Sequence, residues 1–231
     1  MTRTLLLRLA APRQSWGAHA TQKFRPTEKV PTRSGLEGLL GAALGVPRGE
    51  TDEDVQRLAI HVRVDRAGAV EEDYQTVSPP PVDVAESRRR DKRIRTRERL
   101  NRADFTVPIG SGGPWVHNGV IHTFTSHRLY LADAEFIAAF TGPSDIVERI
   151  ADAVHDPVFA PYLGRQAFAP QFPFHLGTRA GDGITTLSRL ASTAPAGRAL
   201  PVHAIEEHTT TQVARIDPER TNSPLEAWKH P

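Results

Sequence analysis

Residues 23–45, KFRPTEKVPTRSGLEGLLGAALG, bring cations, a stiffened backbone and a helix start into one short stretch. Arg25, Lys29 and Arg33 supply positive charge. Pro26 and Pro31 fix the torsion at their own positions and bias the residues before them towards extended backbone. Ser34 followed three residues later by Glu37 has the form of a capping box, which predicts a helix beginning at about Gly35. Its unpaired N–H groups and its dipole would then face the same place as Arg33, an arrangement suited to a phosphate. The same residues also describe a capped surface helix with scattered charge, and local chemistry leaves both readings open.

A second stretch points to a polyanion. Residues 88–102, RRRDKRIRTRERLNR, hold nine basic and two acidic side chains, a net of +7 in fifteen positions. The whole chain carries only +2, so the remainder is mildly acidic at −5. Such a block binds nucleic acid by neutralising phosphates, or it forms a solvated charged segment.

Other candidate chemistries are weaker. Gly35, Gly38, Gly41 and Gly45 lack the Lys-Ser/Thr that a phosphate loop needs after its last glycine, and their spacing fits no dinucleotide fingerprint. They are read as close-packing positions, against a sheet or against an RNA backbone. His117, His122 and His127, five apart, match no common zinc spacing. Metal-free RNA cleavage needs a general base and a cation; His19, Lys29, Tyr74 and His127 are conceivable, but no spacing assembles them. Trp16, beside Arg13 and Gln14, either stacks on a base or closes the edge of a core. Tyr162 and Arg165 in YLGR combine a stacking ring with a guanidinium fork, with the flexible Gly164 between. Arg128 either reaches a ligand or pairs with Asp133.

Positioning these groups requires a scaffold, and the hydrophobic pattern outlines one. Residues 3–10 read as a strand with Leu5, Leu7 and Leu9 on one face and Thr4, Leu6 and Arg8 on the other. Residues 58–65 alternate more cleanly, burying Leu58, Ile60, Val62 and Val64. The intervening helix has a stripe of Leu36, Leu39, Leu40 and Leu44 and stops near Gly45 and Pro47. Residues 134–141 read as a buried strand, followed by a helix capped by Ser144 and ended by Asp156-Pro157. With a late strand at about 200–206, the order suggests an α+β, ferredoxin-like βαββαβ core. Both helices would cover one sheet face, leaving Arg8, His61 and Arg63 on an open one. Residues 157–173 read as an ordered loop. The core is split as 1–77 and 127–217, residues 78–126 form an inserted basic hairpin, and 218–231 form a polar, mobile tail.

At 231 residues the chain can bury a substantial core. It has no cysteine, which excludes disulfides and thiolate metal sites. No signal-peptide or membrane-span pattern follows the short LLLRLAA start, so a cytoplasmic protein is expected.

RPTEKVPTRSGLEGLLGAALG at 25–45 resembles the N-terminal signature of the CasD family, small subunits of type I-E CRISPR Cascade that cap the 5′ handle of the guide RNA. LLLRLAAPRQSWG, DYQTV at 73–77, HRLYLADAEF at 127–136 and YLGR at 162–165 fit the same family in order, over residues 5 to about 177. The resemblance implies a RAMP-type, RRM-like core with the insert as a thumb. It implies a non-catalytic crRNA-binding subunit in antiviral defence. Its partners would be the crRNA, the repeating backbone subunit, the large subunit and, in the assembled complex, target DNA. No cofactor, metal, membrane or small-molecule substrate is expected. The implied RNA-contacting residues are Arg8, Gln14, Trp16, Lys23, Arg25, Thr27, Lys29, Thr32, Arg33 and Ser34. In the thumb they are Arg88, Arg89, Arg90, Lys92, Arg93 and Arg95, and beyond it Arg128, Tyr162, Gly164 and Arg165. Relatives in other CRISPR subtypes process precursor RNA, so a metal-independent endoribonuclease is the alternative. A small enzyme holding a phosphorylated metabolite at the helix start is a further one.

Overall fold

Leu5, Leu6, Leu7 and Leu9 are all fully buried, so the first strand, β1 (Thr2–Ala10), is covered on both faces. The structure, a computed structural model, describes residues 1–17, 24–77, 116–117, 120–121 and 124–225. After β1 come β2 (Arg13–Gln14), β3 (Phe24–Arg25), α1 (Arg33–Leu44), α2 (Glu53–Arg57), β4 (Ala59–Arg66) and β5 (Ala69–Val77). Then follow β6 (Val116–His117), β7 (Val120–Ile121), β8 (Phe124–Ala132), β9 (Glu135–Pro143) and α3 (Ser144–His155). The chain continues through β10 (His175–Ala180), α4 (Gly183–Arg189), β11 (Leu200–Ile205) and β12 (Thr210–Ile216). The described residues fall into two compact units: a larger one of 1–17, 27–71 and 130–225, and a smaller one of 24–26 and 72–129 as far as described.

The larger unit is built on a six-stranded sheet in the order β10-β1-β9-β4-β11-β12, antiparallel at every pairing. One face carries α1 and α3. Leu36, Leu39, Leu40 and Ala43 of α1 join Val147, Ile150 and Val154 of α3 over Leu5, Leu7, Val62, Phe136 and Phe140. Helix α1 ends as its glycine predicts: Gly45 adopts φ 76°, and N–H groups of Gly45 and Val46 donate to the carbonyls of Ala42 and Gly41. Its start differs from expectation. The helix begins at Arg33 with Thr32 at the N-cap position, Ser34 lies inside the first turn, and the Ser34–Glu37 box does not form. Pro143 likewise precedes α3, with Ser144 as a helical residue rather than a cap.

The expected open face is closed, which corrects the placement of Arg8, His61 and Arg63. A second cluster, Leu6, Ile137, Ala139, Leu176, Leu187, Leu190 and Val202, packs α4 and the residues after it against that side. Arg63 is fully buried. It forks onto Asp65 at 2.6 and 2.8 Å and donates to the carbonyls of Leu187 and Leu190, both at 2.6 Å, at the end of α4. Arg8 is 6% exposed and its Nε–H donates to Glu135 at 2.6 Å, while Arg66 reaches the other Glu135 oxygen at 2.7 Å. Burial pushes the Glu135 carboxyl up, but these two cations outweigh it and hold it below its ordinary value. The strand at 200–205 exists, but it borders β4; the strand beside β1 is β10, which the sequence pattern does not announce. The segment after β12 is tied down as far as 221, by Ser192 N–H donating to the Glu219 carbonyl and Thr221 N–H to the Ser192 carbonyl.

Three half-buried histidines give this unit an acid-sensitive stability. Burial lowers the pKa of His61, His175 and His203 below the ordinary 6.5, with nearby His155 adding to the effect at His175. The unfolded chain then binds more protons than the native one as pH falls below about 6.5, so stability is full above that value and declines beneath it. Melting temperature is expected to drop between pH 7 and pH 5, before any carboxylate titrates. A flat profile over that range would contradict the burial of these rings.

In the smaller unit, β3 runs parallel to β8, with Phe24 beside His127 and Arg25 beside Arg128, and β5 also pairs with β8. Strands β6 and β7 form an antiparallel pair, Val116 with Ile121 and His117 with Val120. The basic run at 88–102 lies outside the described residues.

Candidate nucleic-acid interface

The two sequence motifs with the best phosphate chemistry, 24–34 and 162–165, are distant in sequence, and the larger unit joins the described residues 27–34 to 162–165 through Ser15–Trp16–Gly17. On one side, the Trp16 N–H donates to the Thr27 hydroxyl at 2.8 Å, the Glu28 N–H to the Trp16 carbonyl at 2.9 Å, and Gly17 bridges Thr27. On the other, the Ser15 N–H donates to the Leu163 carbonyl at 3.0 Å. Gly164 completes that junction: with φ 89°, it lies so close that a Cβ would sit 1.6 Å from the Ser15 carbonyl oxygen. The 162–168 loop is braced internally by Leu163 N–H to the Phe168 carbonyl and Phe168 N–H to the Arg165 carbonyl, both 2.8 Å. Leu163 is fully buried, Tyr162 is 43% exposed, and the Arg165 guanidinium lies 5.5 Å from the Phe168 ring centroid. Lys29 stands exposed on the neighbouring loop.

Strand alternation decides which residues of 13–16 face outward. β2 pairs Arg13 with Ala132 and Gln14 with Leu131, turning Gln14 into the core. Its amide donates to the carbonyls of Ala134 at 2.8 Å and Leu9 at 3.4 Å and accepts the Trp16 indole N–H at 3.0 Å. Trp16 is 1% exposed, and its ring lies against Gly35, where a Cβ would meet it at 3.0 Å. Gln14 and Trp16 are therefore internal anchors, and the base-stacking reading of Trp16 is corrected. Of the four glycines read as close-packing, Gly35 and Gly45 are so placed, a Cβ on Gly45 meeting Val158 at 3.1 Å; one on Gly38 meets nothing within 4 Å and one on Gly41 only Val46, at 3.7 Å or more.

Arg33 is the largest departure. Its Nε–H donates to Glu37 at 2.7 Å, Nη1 to the Ile205 carbonyl at 3.3 Å, and Nη2 to the carbonyls of Gln56 and, at 3.3 Å, Leu58. The guanidinium joins α1 to the end of α2 and to β11 instead of facing the helix start. At that start Ser34 is exposed, and the Thr32 hydroxyl is buried without a hydrogen-bond partner among the described residues. Arg25 and Arg128 belong to the smaller unit; Arg25 is exposed, and the Arg128 Nε is buried with no hydrogen-bond partner among the described residues. The same unit brings together Tyr74 and His127, with ring centroids 5.0 Å apart, and pairs His127 with Glu72. Lys23, His19, His122, Arg88, Arg89, Arg90, Lys92, Arg93 and Arg95 lie outside the described residues. Among the described residues, no group of three or more potential metal ligands forms, and no helix is long and apolar enough to cross a membrane.

The sequence matches the family described as CRISPR-associated protein (Cas_Cas5) over residues 4–228. It is 33% identical over 177 residues to the CRISPR system Cascade subunit CasD of Escherichia coli (strain K12), covering 75% of this chain and 70% of that protein. A chain from a solved CRISPR RNA-guided surveillance complex superposes with a TM-score of 0.65 at 30% identity, covering 92% of this chain and 87% of that one. A solved Cas protein superposes at 0.58 with 26% identity, covering 87% and 78%.

Proposed function

The chain belongs to the CRISPR-associated Cas5 family, and on that premise we propose that it is a non-catalytic, RNA-binding subunit of a type I-E CRISPR surveillance complex. It holds the 5′ handle of the crRNA and caps the backbone filament. The observation that carries this reading is the joining of 27–28 and 163–164 to opposite sides of Ser15–Gly17. That junction supports a handle site in which Lys29 and Arg165 meet phosphates and Tyr162 offers a face to an unpaired base. Thr32, Ser34 and the unpaired N–H groups of the first turn of α1 add donors beside it. The order β10-β1-β9-β4, backed by α1 and α3, supports a ferredoxin-like RAMP core. On this reading 78–126 is a basic thumb reaching adjoining nucleotides, with Arg25 and Arg128 as further cationic contacts. Arg8, Gln14, Trp16 and Arg33 drop out as direct ligands because their polar groups are engaged internally. Guide sequence is read by base pairing with target DNA, while the protein reads handle shape.

The Glu72–His127–Tyr74 cluster favours a second reading, a metal-independent endoribonuclease acting on repeat RNA, because it sets an imidazole between a carboxylate and a phenol. One experiment separates the two. Labelled CRISPR-repeat RNA is incubated with the full chain, with and without chelator, and followed by binding and by gel. Tight, salt-sensitive binding of uncut RNA is expected, with a log–log salt slope near −4 if about six phosphates are neutralised. Specific cleavage that survives chelator and disappears in His127→Ala would instead establish the ribonuclease. A slope near zero would mean that the basic arm contacts something other than RNA.

A further inference from the structure

Alternation along β2 buries Gln14 and turns Arg13 outward, and Arg13 does not stand alone. Its guanidinium lies 4.6 Å from the centroid of the Tyr130 ring. Tyr130 is 4% exposed, and its hydroxyl donates to the Glu71 carboxylate at 2.8 Å. A phenol bonded to a carboxylate is richer in electron density, so its face holds a cation more firmly. The Tyr130 ring meets Phe168 edge-on, at 6.2 Å between centroids, and Phe168 carries Arg165. Arg13, Tyr130, Phe168 and Arg165 thus form one continuous ladder, with a guanidinium at each end and two aromatic rings between. Backbone contacts repeat the linkage two residues on, where Ser15 donates to Leu163.

Among the described residues Arg13 makes no ion pair, unlike Arg8, Arg33, Arg63 and Arg66, each spent on a carboxylate. Among the described residues no hydrogen bond occupies its N–H fork either, leaving it available for the bidentate geometry that a phosphate accepts. We infer that Arg13 is a further RNA-phosphate contact of this chain, held by the aromatic ladder that also carries Arg165. The inference rests on the RNA-binding reading and extends its site by one residue. A purely structural role, capping the Tyr130 ring, accounts for the stack but leaves the fork without use.

The test uses the full-length chain and, as probe, a fluorescein-labelled RNA oligonucleotide with the repeat-derived 5′ segment of the guide, titrated from about 50 to 400 mM salt. Arg13→Ala is expected to weaken binding about tenfold at the low-salt end and to flatten the log–log slope by about 0.7, the share of one phosphate on a single strand. Arg13→Lys should restore the slope but only part of the affinity, because an ammonium keeps the charge and loses the fork. Melting curves of both variants should match the parent, since a stack on the solvent side of one ring stabilises only weakly. Unchanged affinity and slope in Arg13→Ala would overturn the inference and leave the RNA-binding reading standing. So would a loss of affinity that follows a lowered melting temperature without a change of slope, which is the mark of a scaffold residue. Loss of a protein partner with RNA binding intact would assign Arg13 to a protein interface instead. Failure of the parent chain to bind the probe at any salt would sink both the inference and the reading beneath it.

Discussion

Gly164→Ala is expected to detach the 162–165 loop from Ser15, lowering both melting temperature and RNA affinity. Two independent effects act at this position. The residue occupies φ 89°, where a side chain is strained by about 1–3 kcal/mol. The added Cβ would also lie 1.6 Å from the Ser15 carbonyl oxygen and 2.7 Å from its carbon, atoms of backbone that cannot rotate aside. Relief requires the loop to move, and the Ser15 N–H then loses Leu163 as its acceptor. For a domain of this size, a loss of about 2 kcal/mol lowers the melting temperature by roughly 4–8 °C. RNA affinity should fall at least about tenfold, because a loop displaced by an ångström no longer presents Tyr162 and Arg165 together. Thermal melts and anisotropy on the same preparation check both outcomes. Parent-like values in each would show that the loop contributes nothing to the site.

The second large effect separates two cations four residues apart. Lys29→Glu should leave the fold intact, since Lys29 is exposed and makes no ion pair among the described residues, and should weaken RNA binding by roughly thirtyfold or more through reversal of a phosphate contact. Arg33→Glu should do the reverse of a clean binding variant. It strands the carbonyls of Gln56, Leu58 and Ile205 and sets a second carboxylate one helical turn from Glu37. Removing one partner of such a largely buried pair costs about 3–5 kcal/mol, so the variant should melt early or fail to accumulate. A well-folded Arg33→Glu chain that merely lost RNA affinity would restore the sequence expectation that Arg33 faces a phosphate.

What the sequence revealed, and what it hid, follows from the range of each interaction. Strands β1, β4 and β9 and helices α1 and α3 were legible because their burial follows local periods, and Gly45 marked its helix end by the conformation that only glycine adopts cheaply. Arg63 on β4 read as a surface residue because its alternation is right; its burial depends on α4, a short polar helix 120 residues later whose last carbonyls accept from it. The capping box failed for a similar reason, since Glu37 found a stronger partner in Arg33 than in a backbone N–H. β10 is not legible because HLGTRA neither alternates nor concentrates β-branched residues. At 13–16 a two-residue strand carries too little pattern to tell Gln14 and Trp16, which point in, from Arg13, which points out. The joining of 163–164 to Ser15 had one local sign, a glycine between Leu163 and Arg165, and that sign acquires meaning only when the distant carbonyl is in view.

The most direct test of the handle site is photocrosslinking from position 162, where the Tyr162 side chain is exposed and can be replaced by a photoactivatable phenylalanine analogue. The replaced chain would be assembled with its native partners and guide RNA, irradiated, and the crosslinked nucleotide read from the stop of a reverse transcriptase. A single cluster of crosslinks within the repeat-derived 5′ segment of the guide is predicted. Crosslinks spread along the spacer, or confined to protein with none to RNA, would contradict the proposal that the joined loops form the seat of the handle.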